Sequence, residues 1–235
     1  MSQVAKRFIW QVVLCCLVLA GCTTSRGRVA APELMTPVIA GSTGLLVQPE
    51  ARLALLTAAS QIERRDDWSR DAAANLAAGF QAELALHNHP FRLVDLSSQM
   101  DGRTGQVLRL NEAVGDTIQT YEFSGQRLPT KAGRFDWTLG EGTQLLRGDS
   151  RADHALFVTA RGTWSSPGRK ALMLGAAIIG TSMPMGSQTL SVSLVDLRTG
   201  RVIWYNQARA GPADDMRTAE GARSLAANVL KGAPL

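Results

Sequence analysis

Two β-rich runs near the carboxyl end, Leu190–Leu197 (LSVSLVDL) and Arg201–Tyr205 (RVIWY), are separated only by Arg198, Thr199 and Gly200. Three connecting residues ending in glycine suit a β-hairpin whose glycine takes the left-handed conformation. This hairpin constrains the fold more than any other segment, because it places an antiparallel pair late in the chain. Upstream, Gly44–Gln48 and Arg52–Thr57 read as short strands around Pro49, and Phe91–Leu96 and His154–Ala160 as two more.

Helical signals alternate with these strands. Arg64, Arg65, Asp66 and Asp67 form a polar turn, and Ser69 then sits as an N-cap with Asp71 in the first helical turn. Ala73, Leu76, Ala77, Phe80 and Leu84 follow at spacings of three and four, giving an amphipathic helix that ends near His87 before Pro90. Asn111 to about Tyr121 is helical, with Ala113, Val114 and Ile118 on one face. A Gly/Pro-rich stretch through Pro129 and Gly133 follows, then a short helix before Asp153. The last helix runs from about Thr218 to Leu230, with Ala222, Leu225, Ala226 and Val229 as its inner face. The expected class is α/β, with α+β the alternative: one mixed-sheet sandwich, a late antiparallel hairpin and a C-terminal helix. At 235 residues and 45% hydrophobic content, one core large enough to fold without staples is expected.

The amino terminus has three parts in order. Lys6 and Arg7 are charged, Phe8–Ala20 is an apolar run of 13 residues broken by Gln11, and Leu19, Ala20, Gly21 and Cys22 close it. The run is short for a permanent span, which needs about 20 residues, and it suits the core of a secretory signal peptide. The closing tetrad resembles the lipobox of bacterial lipoproteins. The resemblance implies cleavage before Cys22, a diacylglyceryl thioether on its sulfur and a further acyl chain on its new amino group. A thiol supplies the nucleophile, and small residues at Ala20 and Gly21 let the peptidase reach the backbone. Thr23 and Thr24 follow with no aspartate, which by the enterobacterial sorting rule favours the outer membrane. The expected organisation is therefore residues 1–21 as signal peptide, 22–43 as lipidated cysteine and tether, and 44–235 as one αβ domain. The tether is rich in Thr, Ser, Gly, Ala and Pro; it holds the domain off the bilayer or lies along its surface.

Composition agrees with export. The formal net charge is +5, with 25 basic and 20 acidic residues; loss of Lys6 and Arg7 leaves 23 basic residues and a net of about +3. The arginines are scattered, so a solvated surface is expected and no nucleic-acid partner. Cys15 and Cys16 leave with the leader, and Cys22 has no thiol to pair with.

A second resemblance rests on the carboxyl third. The strand Ala155–Ala160, an insertion, and then Leu194-Val195-Asp196-Leu197-Arg198-Thr199-Gly200-Arg201-Val202-Ile203-Trp204 is similar to lipoproteins related to the curli-secretion channel and the TolB amino-terminal domain. In those families a strand ending in Val-Asp turns through Thr-Gly into a strand ending in Trp. The match covers roughly residues 150–206. It departs at about 168–186, where channel members carry alternating hairpins that build a membrane barrel and this chain has no alternation.

That insertion is the most unusual segment. Ala171, Leu172, Met173, Leu174, Ile178, Ile179, Met183 and Met185 lie in about 15 uncharged residues behind Arg169 and Lys170. It is too short to span a bilayer as a helix and lacks the period of two that a barrel strand needs. Two readings stand: a core helix or covered loop, or a surface for subunit contact or shallow membrane insertion.

Other chemistry is sparse. His87 and His89 precede Pro90 at a helix end and lack the spacing of a metal set; His154 opens a buried strand. Asp66, Asp67 and Asp71 stand among Arg64, Arg65 and Arg70, which suits a neutralised turn better than an acid/base pair. Trp68, Trp137, Trp164 and Trp204 remain after cleavage, and Trp204 at a strand end and Trp68 just before a helix read as packing residues. No nucleophile elbow, phosphate loop, dinucleotide pattern or zinc helix is present, so no catalytic residue, cofactor or metal is expected. The expected function is an outer-membrane-anchored periplasmic lipoprotein that binds or assembles with envelope components without catalysing a reaction. The alternatives are an oligomeric accessory or channel subunit of an export system, and a hydrolase of unfamiliar site.

Overall fold

The computed structural model describes residues 24–30, 43–86, 90–126, 128–131, 133–211 and 213–235. The leader, Cys22 and both His87 and His89 lie outside them. Twelve elements are central: β1 (Thr24–Val29), β2 (Gly44–Val47), β3 (Glu50–Leu56), β4 (Ile62–Arg64), α1 (Asp66–Leu86), β5 (Phe91–Val94), α2 (Arg103–Ile118), β6 (His154–Ser165), α3 (Pro167–Ile178), β7 (Gln188–Asp196), β8 (Val202–Arg209) and α4 (Ala219–Leu230).

The strands form one mixed sheet in the order β1-β8-β7-β6-β2-β5, with β3 also on β6 and β4 on β3. The longest strand, β6, runs antiparallel to β7, from His154 opposite Asp196 to Gly162 opposite Gln188. On its other side β6 is parallel first to β2 and then to β3. Pro49 explains the break between those two, since it has no N–H to give the ladder; Gln48 instead donates to the Val94 carbonyl at 2.8 Å.

Helices cover both faces, so the class is α/β. Leu156, Val158 and Ala160 of β6 join Leu190, Val192 and Leu194 of β7 in a core closed by α1 and α4. Leu76, Phe80 and Leu84 face it from α1, and Ala222, Leu225, Ala226 and Val229 from α4. Ala155, Phe157, Val195 and Leu197 point the other way, into a second core with Val107 and Ile118 of α2 and Phe135, Trp137 and Leu139 of the irregular stretch beyond it. Strands buried on both faces read as continuous apolar runs, which is how Ala155–Val158 reads.

The late hairpin forms β7 and β8. Asp196 accepts from the Arg198 N–H at 2.8 Å and from the Thr199 hydroxyl at 3.0 Å, and the Gly200 N–H donates to the Asp196 carbonyl at 2.8 Å. Gly200 has φ of +74°, and a Cβ there would lie 2.1 Å from the Gly140 carbonyl oxygen. The turn therefore excludes a side chain on two independent grounds.

Three boundaries differ from the sequence reading. α1 starts at Asp66, so Ser69 is inside its first turn and not the N-cap. The Ser69 hydroxyl accepts from the Leu53 N–H at 3.0 Å and donates to the Arg65 carbonyl at 2.8 Å, tying the helix start to β3. α2 begins at Arg103, eight residues before Asn111; few of its residues are fully buried, so its early turns carry little apolar periodicity. Within the expected tether, Thr24–Val29 form an edge strand antiparallel to β8, from Thr24 opposite Arg209 to Val29 opposite Trp204. All six residues are exposed, so none of the alternation that marks a strand is needed.

Replacing Gly200 by alanine combines an unfavourable backbone conformation with a backbone clash. We expect Gly200→Ala to lower unfolding stability in urea by about 3 kcal/mol, while a substitution at exposed Thr199 costs no more than about 1 kcal/mol.

Candidate functional site

The helix α3 and the loop to Ser187 leave the sheet between β6 and β7. Ser166 starts the helix: its hydroxyl accepts from the Arg169 N–H at 3.2 Å, and Pro167 occupies the first turn. Thr181 ends it, giving both its N–H (2.9 Å) and its hydroxyl (3.1 Å) to the Ala176 carbonyl. The return loop closes on β6 through the Thr163 N–H to the Ser187 carbonyl at 2.8 Å. Gly186 fits there because a Cβ would meet the Thr163 carbonyl oxygen at 2.1 Å.

One buried side chain fixes this excursion. Arg169, 3% exposed, donates to the Pro184 carbonyl at 2.9 Å, to the Ser60 hydroxyl at 3.0 Å and to the Thr57 carbonyl at 3.4 Å. Its planar fork joins the return loop to the turn between β3 and β4.

Beyond that clamp the apolar residues face solvent. Ile178 is 80% exposed, Ile179 76%, Met185 71% and Leu174 68%; Ala171 and Leu172 are exposed as well, while Met173 and Met183 are half-buried. The core-helix reading of the insertion is therefore overturned, and six of the eight expected contact residues lie on the surface. The reason is geometric. The two apolar cores are closed by α1, α4 and α2, and α3 belongs to neither of them.

Beside the base of α3, the Trp68 and Trp164 rings meet edge to face at 5.7 Å. The Arg217 guanidinium lies over both, at 4.5 and 4.4 Å, and Arg65 over Trp68 at 4.1 Å. Each arginine is also paired, Arg217 with Asp215 and Arg65 with Asp67, both at 2.6 Å. Hydrogen bonds from Arg65 bring the Asp67 carboxyl down to about 2. With Arg64 on Asp66, the acidic turn is locally neutralised.

The other feature with chemical character is a polar cleft of about 190 Å³ between α2 and the sheet, which sequence reasoning missed. Arg52 on β3 and Arg161 on β6 are direct cross-strand neighbours. Two like charges there would repel, but Glu112 of α2 bonds both, at 3.0 Å to Arg52 and 2.8 Å to Arg161. Asp116, one turn on, takes Arg161 at 2.7 Å. Burial pushes the Glu112 carboxyl up, but the hydrogen bonds from Arg161 and Arg52 outweigh it and hold the group below its ordinary 4.5. Nearby the Ser193 hydroxyl bonds to Asn111 at 2.8 Å. The cleft is smaller than the ~300 Å³ at which small-molecule sites begin, and its charged groups are turned toward one another. Its evident role is to brace α2 against the sheet. The four-residue spacing of Glu112 and Asp116 was visible in the sequence; the pairing of Arg52 with Arg161 was not.

His154 is buried, and neither ring nitrogen has a hydrogen-bond partner among the described residues. Burial pushes its imidazole below 6.5 against the opposing pull of Asp196 and Asp153, which keeps it neutral at the start of β6. Trp204 is fully buried, and Trp137 lies in the second core. Among the described residues no group of His, Cys, Asp and Glu is placed to hold a metal.

Two outcomes follow from these contacts. Arg169→Met should leave the Pro184 carbonyl unpartnered, and amide hydrogen exchange should quicken across residues 179–187 while α1 and α4 keep their protection. For Glu112, the folded carboxyl stays ionised at a pH where the unfolded one already takes up a proton. Its stabilisation is therefore complete above about 4.5 and is lost as pH falls through the lowered folded value. Glu112→Gln should remove that part of the acid dependence of the urea midpoint; an unchanged pH profile would show that the brace contributes nothing.

No family model and no curated protein matches the chain. Among solved structures, the chain is similar to the PelC dodecamer from Paraburkholderia phytofirmans, at 14% identity and a TM-score of 0.40, over 89% of this chain and 95% of that one. A leucine-to-methionine variant of that dodecamer is similar at 14% identity and a TM-score of 0.38, over 89% and 96% of the two chains.

Proposed function

We propose that this protein is a lipoprotein held by acyl chains on Cys22 at the periplasmic face of the outer membrane, and that it binds or assembles with other envelope components without catalysing a reaction. The observation that carries the reading is α3: an apolar helix clamped at its base by Arg169 and presented to solvent, which the fold does not use to cover its own cores. A surface of that kind is a liability unless something meets it. The lipid supplies position, since two or more acyl chains hold a protein stably at a bilayer where one holds it marginally.

The edge strand β1 favours a second reading, an oligomeric accessory or channel subunit of an export system. Among the described residues β1 pairs only with β8, and its outer side offers unpaired backbone groups to another strand. Light scattering on the detergent-extracted protein separates the two readings by mass.

Lipidation is tested on the chain itself. Growth with a labelled fatty acid should mark the wild-type protein and leave Cys22→Ser unmarked, and the variant should lose its acyl-modified amino terminus by mass spectrometry. A native chain that still begins at Met1 and carries no lipid would sink the reading.

A further inference from the structure

We infer that α3 is an interfacial membrane element, seated in the lipid headgroup and acyl boundary beside the anchored amino terminus. The inference rests on the lipid anchor proposed above and names what the apolar helix meets.

Apolar residues are distributed around most of the helix. At about 100° per residue, Leu172 and Ile179 fall on one side of α3, and Leu174 and Ile178 fall on nearly the opposite side. All four are at least half exposed. Arg169, Met173 and Ala176, between those sides, are the residues drawn toward the body of the protein. A docking partner covers one face of a helix. A helix that is apolar nearly all round belongs in a medium that is itself apolar.

Strand direction brings α3 and Thr24 to the same end of the sheet. Thr24, Arg209, Thr189, Arg161 and Arg52 lie in one row across the sheet, each opposite the next. β6 runs past this row to Ser165 and into α3. β1 starts at the row and runs away from it, so Thr24, its first residue, stands at the end of the sheet from which α3 projects. Cys22 is two residues from Thr24, a reach of at most about 7 Å. An anchor on Cys22 therefore brings that end of the sheet, and not the hairpin end, to the bilayer.

Charge and size also suit a bilayer surface. Residues 165–189 contain two basic residues and no acid. Exposed Lys170 stands in the first turn of α3, and exposed Arg26 and Arg209 lie near the start of the row, which suits anionic headgroups. Exposed Ile62, opposite Leu56 at the β3–β4 turn, extends the apolar surface, with Glu63 the acid beside it. At 12 residues α3 is about 18 Å long and cannot cross ~30 Å of hydrocarbon, so it lies in the interface. No helix among the described residues is long and apolar enough to cross a membrane.

The test uses the mature lipidated protein in vesicles of phosphatidylethanolamine with phosphatidylglycerol. Cys22 is consumed by its thioether, so a cysteine at Ile178→Cys takes an environment-sensitive fluorophore alone; Glu141→Cys, beside the hairpin turn at the other end, is the control. Both positions are exposed, which keeps the substitutions from disturbing either core. Flotation of the vesicles is read first and fluorescence second. The expected result is a blue-shifted label at 178, quenched by lipid brominated in its acyl chains at every protein-to-lipid ratio, with a water-like, unquenched label at 141. If the chain floats but the label at 178 stays in water, this inference is overturned and the anchor stands. A blue shift that bromolipid does not quench, and that fades as the protein is diluted in lipid, assigns the helix to a second copy and also overturns it. A chain that does not float overturns the anchor and this inference together.

Discussion

Burial of β6 on both faces sets the rest of the architecture. A strand in that position must find partners for its backbone groups along both edges, because an unpaired N–H or carbonyl inside the protein costs about as much as a lost hydrogen bond. Its left edge is closed by β7 over nine registered pairs. Its right edge is twelve residues long, and β2 and β3 share it on either side of Pro49. The same burial demands apolar cover above and below, which α1 with α4 and α2 with the segment behind it supply. With that cover in place, α3, inserted between β6 and β7, belongs to neither core. The exposure of α3 follows from the success of the packing elsewhere.

Elements whose signal is local were legible before the structure. The β7–β8 hairpin was written in Thr199-Gly200, because the turn needs a left-handed glycine and a short polar connection whatever the sheet around it does. Most of the inner face of α4 appeared in the sequence too, since Ala222, Leu225, Ala226 and Val229 repeat at helical spacing and all four are completely buried; Gly221 and Leu230 complete it. β1 left no such trace. A solvent-exposed edge strand asks nothing of its side chains, and Thr-Ser-Arg-Gly-Arg-Val read as readily as a tether. The start of α1 was misplaced for a related reason: Ser69 has the chemistry of a cap, but its hydroxyl is occupied by the Leu53 N–H of a neighbouring strand.

The candidate sites divide along the same line. The eight apolar residues from Ala171 to Met185 were identified by composition, while the choice between buried and exposed required knowing which faces of the sheet were already taken. The Arg52–Glu112–Arg161–Asp116 brace was invisible because it depends on register. Arg52 and Arg161 are 109 positions apart and become neighbours only when β3 lies parallel to β6 in one alignment. A shift of β3 by one residue against β6 would send Arg52 to the opposite face, where α1 and α4 enclose an apolar core, and leave Arg161 without it. The brace thus adds a charge-based penalty to any misregistered pairing of those strands.

A helix of 12 residues is marginal alone in water, and α3 gains little from tertiary packing. Its order must come from its ends: the Ser166 hydroxyl at the start, Thr181 folded back on Ala176 at the finish, and the Arg169 fork below. The fork is the term that sets direction. Caps stabilise a helix without saying where it points, whereas Arg169 ties the return loop at Pro184 to Thr57 and Ser60 of the neighbouring turn. Lysine has the charge but not the planar set of donors, so it could not hold both the loop and the turn in one geometry. Together with the backbone bond from the Ser166 N–H to the Leu56 carbonyl at 2.9 Å, that guanidinium sets the position of α3 relative to the sheet.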